Sequence, residues 1–235
     1  MTTPPVDDPE TLRRILSQAE ALFLDFDGPI CSVFAGLPAS IVVDQLCVVL
    51  ADGGYGDPPP DIEKSSDPFD VLKYAATLGE TEAEYVNAAF TAHEVEAIAT
   101  AEPTPGAHDL MHAWSQTGRP LAIVSNNSTV AIETYLDLHE LRPYVTYVSA
   151  RTRPEPALLK PDPYLLNRAM TALGVPSEAV AFVGDSVTDV EAAHAVRCMS
   201  VGYANKPGKV DLLSSAGVDV IASQMGSLLG RAHPG

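Results

Sequence analysis

The amino-acid sequence predicts an α/β fold, in which a Rossmann-like parallel sheet is flanked by helices and carries an inserted small α-helical domain. The first observation is the apolar run at residues 22–24, which is typical of a short strand buried on both faces. The second is the alternation of apolar runs with helix-length segments after Gly106, which favours parallel strands joined by helices. The third is the stretch 30–102, which has helical patterns and no convincing strand. We therefore predict a discontinuous core over 1–29 and 103–235 and an α-helical cap over 30–102.

In the first half of the chain, the spacing of apolar residues predicts mainly helices. Residues 1–9 are expected to be a loose tail, after which Leu12, Ile15 and Leu16 lie on one face of a helix. A stretch rich in Gly, Pro and Asp at 52–61 predicts a loop. The predicted elements are a strand at 22–26 and helices at 9–21, 37–51, 68–78 and 81–100.

In the second half, glycine, proline and serine mark the ends of the elements. Residues 103–106 break the chain, Gly118 and Gly174 close two helices, and Ser128 opens another as its N-cap. The predicted helices cover 108–118, 128–138, 162–173, 186–196 and 210–216, and the predicted strands cover 120–125, 144–149, 180–183, 199–203 and 218–221, with a last turn at 224–229. Ligands of such parallel sheets collect at the carboxyl ends of the strands, so the polar residues there are the functional candidates.

The overall composition argues against some classes of function. The chain has 235 residues, of which 46% are hydrophobic and 19% charged, as is typical of a globular protein. Its formal net charge of -17 argues against nonspecific nucleic-acid binding and against docking on an anionic membrane. An anionic substrate is compatible with this charge if a metal ion and a few basic residues reverse the field locally.

The cysteines and the N-terminal residues bear on the compartment. Cys31, Cys47 and Cys198 are an odd number without a close pair, which favours neither a disulfide framework nor a zinc cluster. Residues 1–10 lack a basic segment followed by an apolar one, and no apolar run approaches the roughly 20 residues of a membrane-spanning helix. We therefore expect a cytoplasmic protein without membrane or nucleic-acid partners, present as a monomer or a homodimer.

Two carboxylates, Asp25 and Asp27, end the first predicted strand and precede Gly28. Residues i and i+2 of an extended chain point to the same side, so both carboxylates can face one site. Two such acids repel each other and are costly to desolvate unless a cation lies between or beside them. A hard divalent cation with oxygen ligands, such as Mg2+, resolves that conflict. The alternative is a strand end with two solvated turn residues.

Further polar residues lie near the ends of other predicted strands. Ser125 and Asn126 stand at the end of a strand and the start of a helix, where hydroxyl and N–H groups can donate to a phosphate oxygen. Asp185 and Asp189, at i and i+4, can share a helix face and add two carboxylates. Lys160 lies in a proline-containing turn before a helix, where it could neutralise both a carboxylate and a phosphate.

Each of these residues has a simpler interpretation when it is taken alone. Ser125 fits a helix cap, Lys160 a surface lysine, and Asp189 a solvated acid on a helix. Four acids, one serine and one lysine at the same predicted sheet edge are harder to explain separately. Their combination favours a site that binds a metal ion and a phosphate group.

In four short motifs the sequence resembles the haloacid dehalogenase-like hydrolases. The motifs stand as Asp25-Phe26-Asp27-Gly28, Ser125-Asn126, Lys160-Pro161 and Gly184-Asp185-Ser186-Val187-Thr188-Asp189. The resemblance covers about 10–29 and 103–225, and the helical insertion after the first motif is similar to the family's cap at its first cap site. Pro29 departs from the pattern, because the family commonly has Thr or Val at this position.

The resemblance implies a role for each motif residue. Asp25 is expected to be the nucleophile that forms an aspartyl-phosphate, and Asp27 the general acid and then the general base. The implied cofactor is Mg2+, held by Asp25, the Asp27 carbonyl and Asp185, with Asp189 as a ligand or as support for the ligands. Lys160 is expected to position the nucleophile as well as the transferred group. The motif residues expected to bind the phosphate or substrate are Gly28, Ser125, Asn126 and Lys160.

The residues that select the substrate are less clearly marked. Arg151 follows a predicted strand at the ligand edge, where it could bind a second anionic group of the substrate or counter the acidic surface. In the cap, the candidates are Lys64, Lys73, Tyr74 and the loop at 65–68, each with a surface role as the alternative.

The leading hypothesis for function is a Mg2+-dependent phosphatase for a small phosphorylated metabolite, similar to phosphoglycolate phosphatases. One alternative is a phosphomutase of the beta-phosphoglucomutase type, which returns the phosphoryl group to a sugar. Another is a non-catalytic phosphate-binding protein on the same fold. A dehalogenase is disfavoured, because a departing halide does not need the acid that Asp27 supplies.

Overall fold

The computed structural model describes residues 3–55 and 58–229. In chain order its strands are β1 (Ala21–Leu24), β2 (Cys31–Ser32), β3 (Glu102–Pro103), β4 (Leu121–Ser128), β5 (Tyr147–Arg151), β6 (Val180–Gly184), β7 (Met199–Tyr203) and β8 (Val220–Ala222). The α-helices are α1 (Pro9–Gln18), α2 (Ala39–Asp52), α3 (Pro60–Glu63), α4 (Pro68–Leu78), α5 (Glu80–Ile98), α6 (Ala107–Ser115), α7 (Thr129–Leu138), α8 (Tyr164–Leu173), α9 (Val187–Val196) and α10 (Lys209–Ala216). Short 3-10 turns lie at Arg142–Tyr144, Pro156–Leu158, Ser177–Ala179 and Met225–Leu228.

Six of the strands form one parallel sheet in the order β5-β4-β1-β6-β7-β8. β1 lies inside this sheet, with Leu24 paired to Ile123 of β4 on one side and to Val183 of β6 on the other. All of β1 is buried, as its unbroken apolar sequence predicts. The polar residues that follow these three strands therefore meet at one edge. The predicted Rossmann-like α/β core is confirmed.

Helices cover both faces of the sheet, because successive side chains of a strand point in opposite directions. Leu22 and Leu24 join the core formed with α1, α6 and α7, which includes the fully buried Trp114. Phe23, between them, joins the core formed with α8, α9 and the inserted helices, which includes the fully buried Phe90. Packing on both sides thus fixes the strands that carry the candidate residues.

The helices α2–α5 lie between β2 and β3, which pair antiparallel as a small two-stranded sheet. Phe69 of α4 meets Phe90 of α5 edge to face, with ring centroids 5.0 Å apart. The order of elements agrees with a helical insertion, but the expectation that 30–102 contains no strand is wrong. Strands of two residues are too short to show alternation, and Pro103 has no N–H to donate. The division into a core and a cap domain stays a prediction.

Most predicted elements are present, with ends that differ by a few residues. Helix α4 and strand β7 have the predicted bounds. Helix α1 ends at Gln18, earlier than predicted, because Ala19 has extended backbone with φ -73° and ψ 126°. Strand β4 continues past Ser125 to Ser128, with an irregular register against β5 between these two residues. A Ser-Asn-Asn-Ser sequence has no strand preference, so tertiary contacts and not the local residue pattern decide its conformation.

The described part of the N-terminal tail is docked and not loose, which corrects the prediction for residues 1–9. Val6 forms a bridge with Ile221 of β8, and the Asp7 N–H donates to the Ile221 carbonyl at 2.8 Å. The Asp7 carboxylate accepts from the N–H and the hydroxyl of Ser223 at 2.8 and 2.6 Å. These partners lie far apart in the sequence, and nothing in the local pattern predicts their contact.

Over residues 3–55 and 58–229, no helix combines the length and the apolar character that crossing a membrane requires. Cys31, Cys47 and Cys198 are free thiols. Cys31 and Cys198 are buried within the packed cores, whereas Cys47 is partly exposed on α2.

Candidate active site

Strand β1 delivers Asp25 to the edge of the sheet. Its backbone N–H donates to the Val183 carbonyl at 2.9 Å, so the central strands fix its position. One carboxylate oxygen, Oδ1, accepts from the Phe26 N–H at 2.7 Å and lies 2.9 Å from Nζ of Lys160. Asp25 is only 7% exposed. It is therefore a buried carboxylate whose orientation is set by its neighbours.

The loop after β1 holds Asp27 and brings it towards Asp185. Oδ1 of Asp27 accepts from the Val33 N–H at 2.9 Å. Gly28 has a φ of 103°, and a Cβ at this position would lie 2.4 Å from the carboxyl carbon of Asp185, so a side chain has no room there. The Thr104 hydroxyl donates to the Gly28 carbonyl at 2.6 Å. Gly28 thus contributes space and backbone conformation to the site.

Lys160 is buried among acceptors from the ends of β1 and β4 and from the first turn of α9. Its Nζ donates to the Val124 carbonyl at 3.1 Å and to Oδ1 of Asp189 at 2.5 Å, besides its contact with Asp25. The Asn126 side chain binds the Lys160 backbone twice, since its Nδ2 donates to the carbonyl at 3.1 Å and its Oδ1 accepts from the N–H at 2.8 Å. Asn126 therefore positions Lys160 through the backbone.

Asp189 organises the start of α9. Its Oδ2 accepts from the N–H groups of Asp185 and Ser186, both at 3.0 Å, and from the Ser186 hydroxyl at 2.7 Å. The Asp189 N–H donates to the Ser186 hydroxyl at 3.2 Å, which completes a capping box. Asp185 forms an ion pair with Lys209 of α10. One oxygen each of Asp25, Asp185 and Asp189 can be chosen so that all three lie within 4.8 Å of one another. These three carboxylates could hold one metal ion.

The electrostatics of the cluster favour a cation. Burial raises the pKa of Asp25 to about 7, and Asp189 and Asp185 add to this rise, although Lys160 opposes it. Burial likewise raises the pKa of Asp27 to about 6 and that of Asp185 to about 6. Burial acts to lower the pKa of Lys160, but the carboxylates of Asp189 and Asp25 outweigh it and raise this pKa to about 12. A hard divalent cation fits such a set of oxygen donors.

Ser125 lies at the end of β4, beside this cluster, and is 1% exposed. Its hydroxyl donates to Oδ1 of Asn127 at 3.1 Å and accepts from the Asn127 N–H at 3.3 Å. The helix that the sequence predicted to open at Ser128 begins one residue later, and the Ser128 hydroxyl caps it by accepting from the Ala131 N–H at 3.2 Å. Ser128 and not Ser125 is therefore the cap of α7, and Ser125 lines a cavity together with Asp25 and Lys160.

A cavity of about 280 Å³ opens onto these groups. The core contributes to its wall the predicted residues Asp25, Asp27, Ser125, Asn126, Lys160 and Asp185. The helical insertion contributes Asp67, Phe69 and Lys73, whereas Lys64 and Tyr74 are not among the residues that line it. Asp67 caps α4 by accepting from the Phe69 N–H at 2.9 Å. The cavity is small, and acids and a lysine converge on it.

Arg151 ends β5, and its guanidinium is bound by groups of the protein. Its side chain is buried, and it pairs with Glu94 of α5, where Nη2 and Oε2 are 2.6 Å apart. Its Nε donates to the Asn126 carbonyl at 3.1 Å, and its Nη1 donates to Asn87. Arg151 is not among the residues that line the cavity. Protein acceptors occupy the guanidinium, so the predicted contact with substrate has no support here.

Glu94 and Lys209 were not among the residues that the sequence predicted for the site. Glu94 is fully buried and lies on the same face of α5 as Val86, Phe90 and Ala97. An acid at apolar spacing is a signal for a buried charge with a partner. Lys209 opens α10 far from any motif, and no local signal points to its pairing with Asp185.

Comparison with known proteins agrees with this geometry. A sequence model of the haloacid dehalogenase-like hydrolases matches residues 19–197. "Phosphoglycolate phosphatase 1" of Pseudomonas aeruginosa is 29% identical over 203 residues, which are 80% of this chain and 71% of that protein. The phosphoglycolate phosphatase of Escherichia coli K12 is 29% identical over 125 residues, or 53% of this chain and 49% of that protein. The second match thus spans about half the length of that relative.

Solved structures share the fold over most of the chain. A predicted phosphoglycolate phosphatase from Haemophilus somnus superposes with a TM-score of 0.66 at 19% identity, covering 92% of this chain and 99% of that one. A predicted phosphatase from Clostridium acetobutylicum gives a TM-score of 0.66 at 17% identity over 88% of this chain and 95% of that one. At these identities the likeness shows the fold alone. Since the family match covers more than half of the sequence, this chain belongs to the haloacid dehalogenase-like hydrolases.

Proposed function

We propose that this hydrolase is a Mg2+-dependent phosphatase that cleaves a small phosphomonoester through an aspartyl-phosphate on Asp25. The observation that supports this most is the position of the Asp25 carboxylate. It lies at a cavity of about 280 Å³, next to Lys160 and close to the acids Asp185 and Asp189. A buried carboxylate with a cation on one side and space for a ligand on the other suits nucleophilic attack on phosphorus.

In the first step, an oxygen of Asp25 forms a bond to phosphorus while the bond from phosphorus to the ester oxygen breaks. The departing oxygen takes a proton from Asp27, whose pKa burial raises to about 6, so that a protonated fraction exists near neutral pH. In the second step, ionised Asp27 accepts a proton from a water molecule that attacks the same phosphorus. Inorganic phosphate leaves, and the Asp25 carboxylate is restored.

The other predicted residues hold the transferred group. The Lys160 ammonium meets Asp25, Asp189 and the Val124 carbonyl, so it positions the nucleophile. When substrate binds, one of its three N–H donors would turn to a phosphoryl oxygen and offset the charge of the group under attack. The Ser125 hydroxyl, which donates to Asn127 in this structure, can turn to a phosphoryl oxygen at the same cavity. Asn126 acts through the backbone of Lys160.

We propose Asp25, Asp185 and the Asp27 carbonyl as the groups that hold Mg2+. Both oxygens of Asp189 already have partners, Lys160 on one and the capping donors on the other, so we propose Asp189 as the residue that supports Asp185 and Lys160. A bound Mg2+ would offset the repulsion between the carboxylates and the phosphate and polarise the phosphoryl oxygens.

We further propose that the helical insertion is a cap domain over 30–102 on a core formed by 1–29 and 103–235. Its residues Asp67, Phe69 and Lys73 line the same cavity as the motif residues. A cap in this position would exclude water and select the substrate. Lys73 could pair with a second anionic group, and a phosphorylated carboxylic acid, the substrate class in the names of the relatives, is therefore the first compound to test.

The test is release of inorganic phosphate from a panel of phosphorylated metabolites, with Mg2+, with a chelator, and with the Asp25→Asn variant. We expect release that requires Mg2+ and is lost in the variant. Products would also be analysed for isomerised sugar phosphates. Isomerised product without phosphate release would contradict the proposal and favour a phosphomutase. Tight binding of phosphorylated compounds without any turnover would favour a non-catalytic binding protein.

A further inference from the structure

Arg151 and Glu94 form a buried ion pair that joins the helical insertion to the parallel sheet. Arg151 ends β5, Glu94 lies on α5, and their side chains are 1% and 0% exposed. The guanidinium lies over the ring of Phe90, with its carbon 4.7 Å from the ring centroid. The Arg151 Nη1 donates to Asn87 and to the Thr91 hydroxyl, the latter at 3.4 Å. Arg151 is thus bound along one face of α5.

The pair also binds the irregular polar end of β4, residues 125–128 (the Ser125–Ser128 loop), which carries the phosphate-binding candidates. Oε1 of Glu94 accepts from Nδ2 of Asn127 at 3.0 Å, and its Oε2 accepts from the Ser128 N–H at 3.0 Å. The Nε of Arg151 donates to the Asn126 carbonyl at 3.1 Å. Three consecutive residues, 126–128, therefore each have a polar group bound by one member of the pair.

Asn127 links the pair to the hydroxyl of Ser125 by hydrogen bonds. The Asn127 side chain gives its amide N–H to Glu94 and uses its Oδ1 to accept from the Ser125 hydroxyl. A single amide thus connects the buried carboxylate of the insertion to the hydroxyl at the cavity. Because the loop leaves the regular sheet register between Ser125 and Ser128, strand pairing alone does not set its conformation.

We propose that the pair Arg151–Glu94 is a positioning device for the phosphate site, which sets the Ser125–Ser128 loop only while α5 is docked on the core. Neither residue contacts substrate. The inference rests on the proposed function, since it assigns the phosphate group to Ser125. It predicts that the affinity for phosphate depends on two buried residues that lie outside the cavity.

The main test is the double variant Glu94→Leu/Arg151→Met, which removes both charges together. Removal of one partner leaves an unpaired buried charge. Replacement of both by apolar residues avoids this cost, so we expect the double variant to fold. The readouts are the inhibition constant for inorganic phosphate, kcat and KM. All are measured with Mg2+ well below the melting temperature of each variant. Hydrogen exchange of the peptides that cover 122–130 gives a separate measure of loop order.

We expect phosphate inhibition to weaken about 10-fold, and kcat/KM to fall about 10- to 100-fold, because small displacements of binding groups have effects of this size. Amide exchange in 122–130 should accelerate in the double variant. Glu94→Gln, which keeps an acceptor but loses the charge, should show a smaller change in the same direction. Arg168→Met is the matched control, since Arg168 donates to the Ser149 hydroxyl and the Ala150 carbonyl, both on β5, and not to residues 125–128.

Unchanged phosphate inhibition and unchanged exchange in the folded double variant would overturn the inference. An equal loss in Arg168→Met would do the same, because the effect would then reflect general destabilisation of β5. If the parent enzyme hydrolyses no phosphomonoester, the proposed function fails. The exchange experiment then still decides whether the pair orders the loop.

Discussion

The protein buries two clusters of opposite charges, and they differ in charge balance and in access to the cavity. In one, the ammonium of Lys160 is shared between Asp25 and Asp189, with Asp185 close by, and the cluster lines the cavity. In the other, Arg151 and Glu94 pair one to one, away from the cavity. The side chains of Lys160 and Asp189, like those of Arg151 and Glu94, are at most 2% exposed, so burial alone does not distinguish chemistry from structure.

The charge balance is what separates the two clusters. Burial raises the pKa of Asp25 to about 7 against the pull of Lys160, which means that the protein holds this carboxylate in an unfavourable environment. The carboxylate of Glu94, by contrast, accepts from a guanidinium, an amide and a backbone N–H. An excess of acid beside a cavity is suited to a cation and an anionic substrate, whereas a balanced pair with its acceptors filled is suited to fixing a loop.

The largest effect that this comparison predicts is the loss of turnover in Asp25→Asn, by at least about 10³-fold, because the amide is a poor nucleophile. The melting temperature should stay the same or rise, since the change removes a poorly solvated charge. Steady-state phosphate release and thermal unfolding of the same preparation check both parts. Asp109→Asn, at an exposed acid in the first turn of α6, is the control. Turnover near the parent rate in Asp25→Asn would contradict the assignment of Asp25 as the nucleophile.

For the pair Arg151–Glu94 we expect substitution to lower stability. Arg151→Met alone leaves Glu94 as an unpaired buried carboxylate and should lower the free energy of unfolding by about 3–5 kcal/mol. Urea denaturation measures this change. The exposed pair Arg142–Asp137 offers a control, because Arg142→Met should change stability by no more than about 1 kcal/mol. A similar small change for Arg151→Met would show that the two clusters do not differ as described.

Removal of the metal should make stability depend on pH. The pKa values of Asp25, Asp27 and Asp185 are raised in the folded state to about 7, 6 and 6, so between pH 4 and 7 these groups bind more protons when folded than when unfolded. Stability with a chelator should therefore fall as the pH rises through this window. Saturating Mg2+ should reverse much of the loss.

Melting curves at pH 5 and pH 8, with chelator and with Mg2+, measure this effect. The difference between the two sets of curves isolates the acidic cluster, because other titrating groups contribute to both. Parallel curves with no added effect of Mg2+ at pH 8 would contradict the proposed metal site.

The smallest effect is expected at the side of the cavity that the insertion supplies. Lys73 pairs with Asp70 at 3.1 Å, and its side chain is 57% exposed, so Lys73→Met should change stability by less than about 1 kcal/mol. If Lys73 meets a second anionic group of the substrate, KM should rise several-fold while kcat changes little. Kinetics on the preferred substrate and on a phosphomonoester without a second charge separate these cases. An equal rise of KM for both substrates would remove Lys73 from substrate selection.

The two clusters also differ in how much of them could be predicted from the sequence. Asp25, Ser125 and Asp185 stand directly at the ends of apolar runs, and parallel strands bring such ends together, so one-dimensional spacing is enough to find them. Arg151 also follows a strand, but its partner lies 57 residues away on an inserted helix, and only the packing of that helix decides where the guanidinium points. Proximity to the edge was predictable, whereas the contact was not.

Short and irregular elements escaped prediction for a related reason. The two-residue strands β2 and β3 carry no alternation, and Val6 finds its place through a bridge to Ile221 near the other end of the chain. Strand β4 extends over a polar sequence that is held by an irregular pairing with β5 and by hydrogen bonds to Glu94 and Arg151. In each case the free energy comes from tertiary contacts and not from the local residue pattern.

The most direct test of the account is to trap the covalent intermediate. The enzyme would be mixed with Mg2+ and a preferred substrate labelled in its phosphate group, quenched in acid within milliseconds, digested, and analysed by mass spectrometry. We expect a labelled phosphoryl group on Asp25 of the parent enzyme and none in Asp25→Asn. In Asp27→Asn the label should accumulate on Asp25, because the proton acceptor for the attacking water is lost. This second variant is tested with a substrate whose leaving group needs no proton. Steady phosphate release with the label on another residue, or with no labelled residue at all, would contradict it.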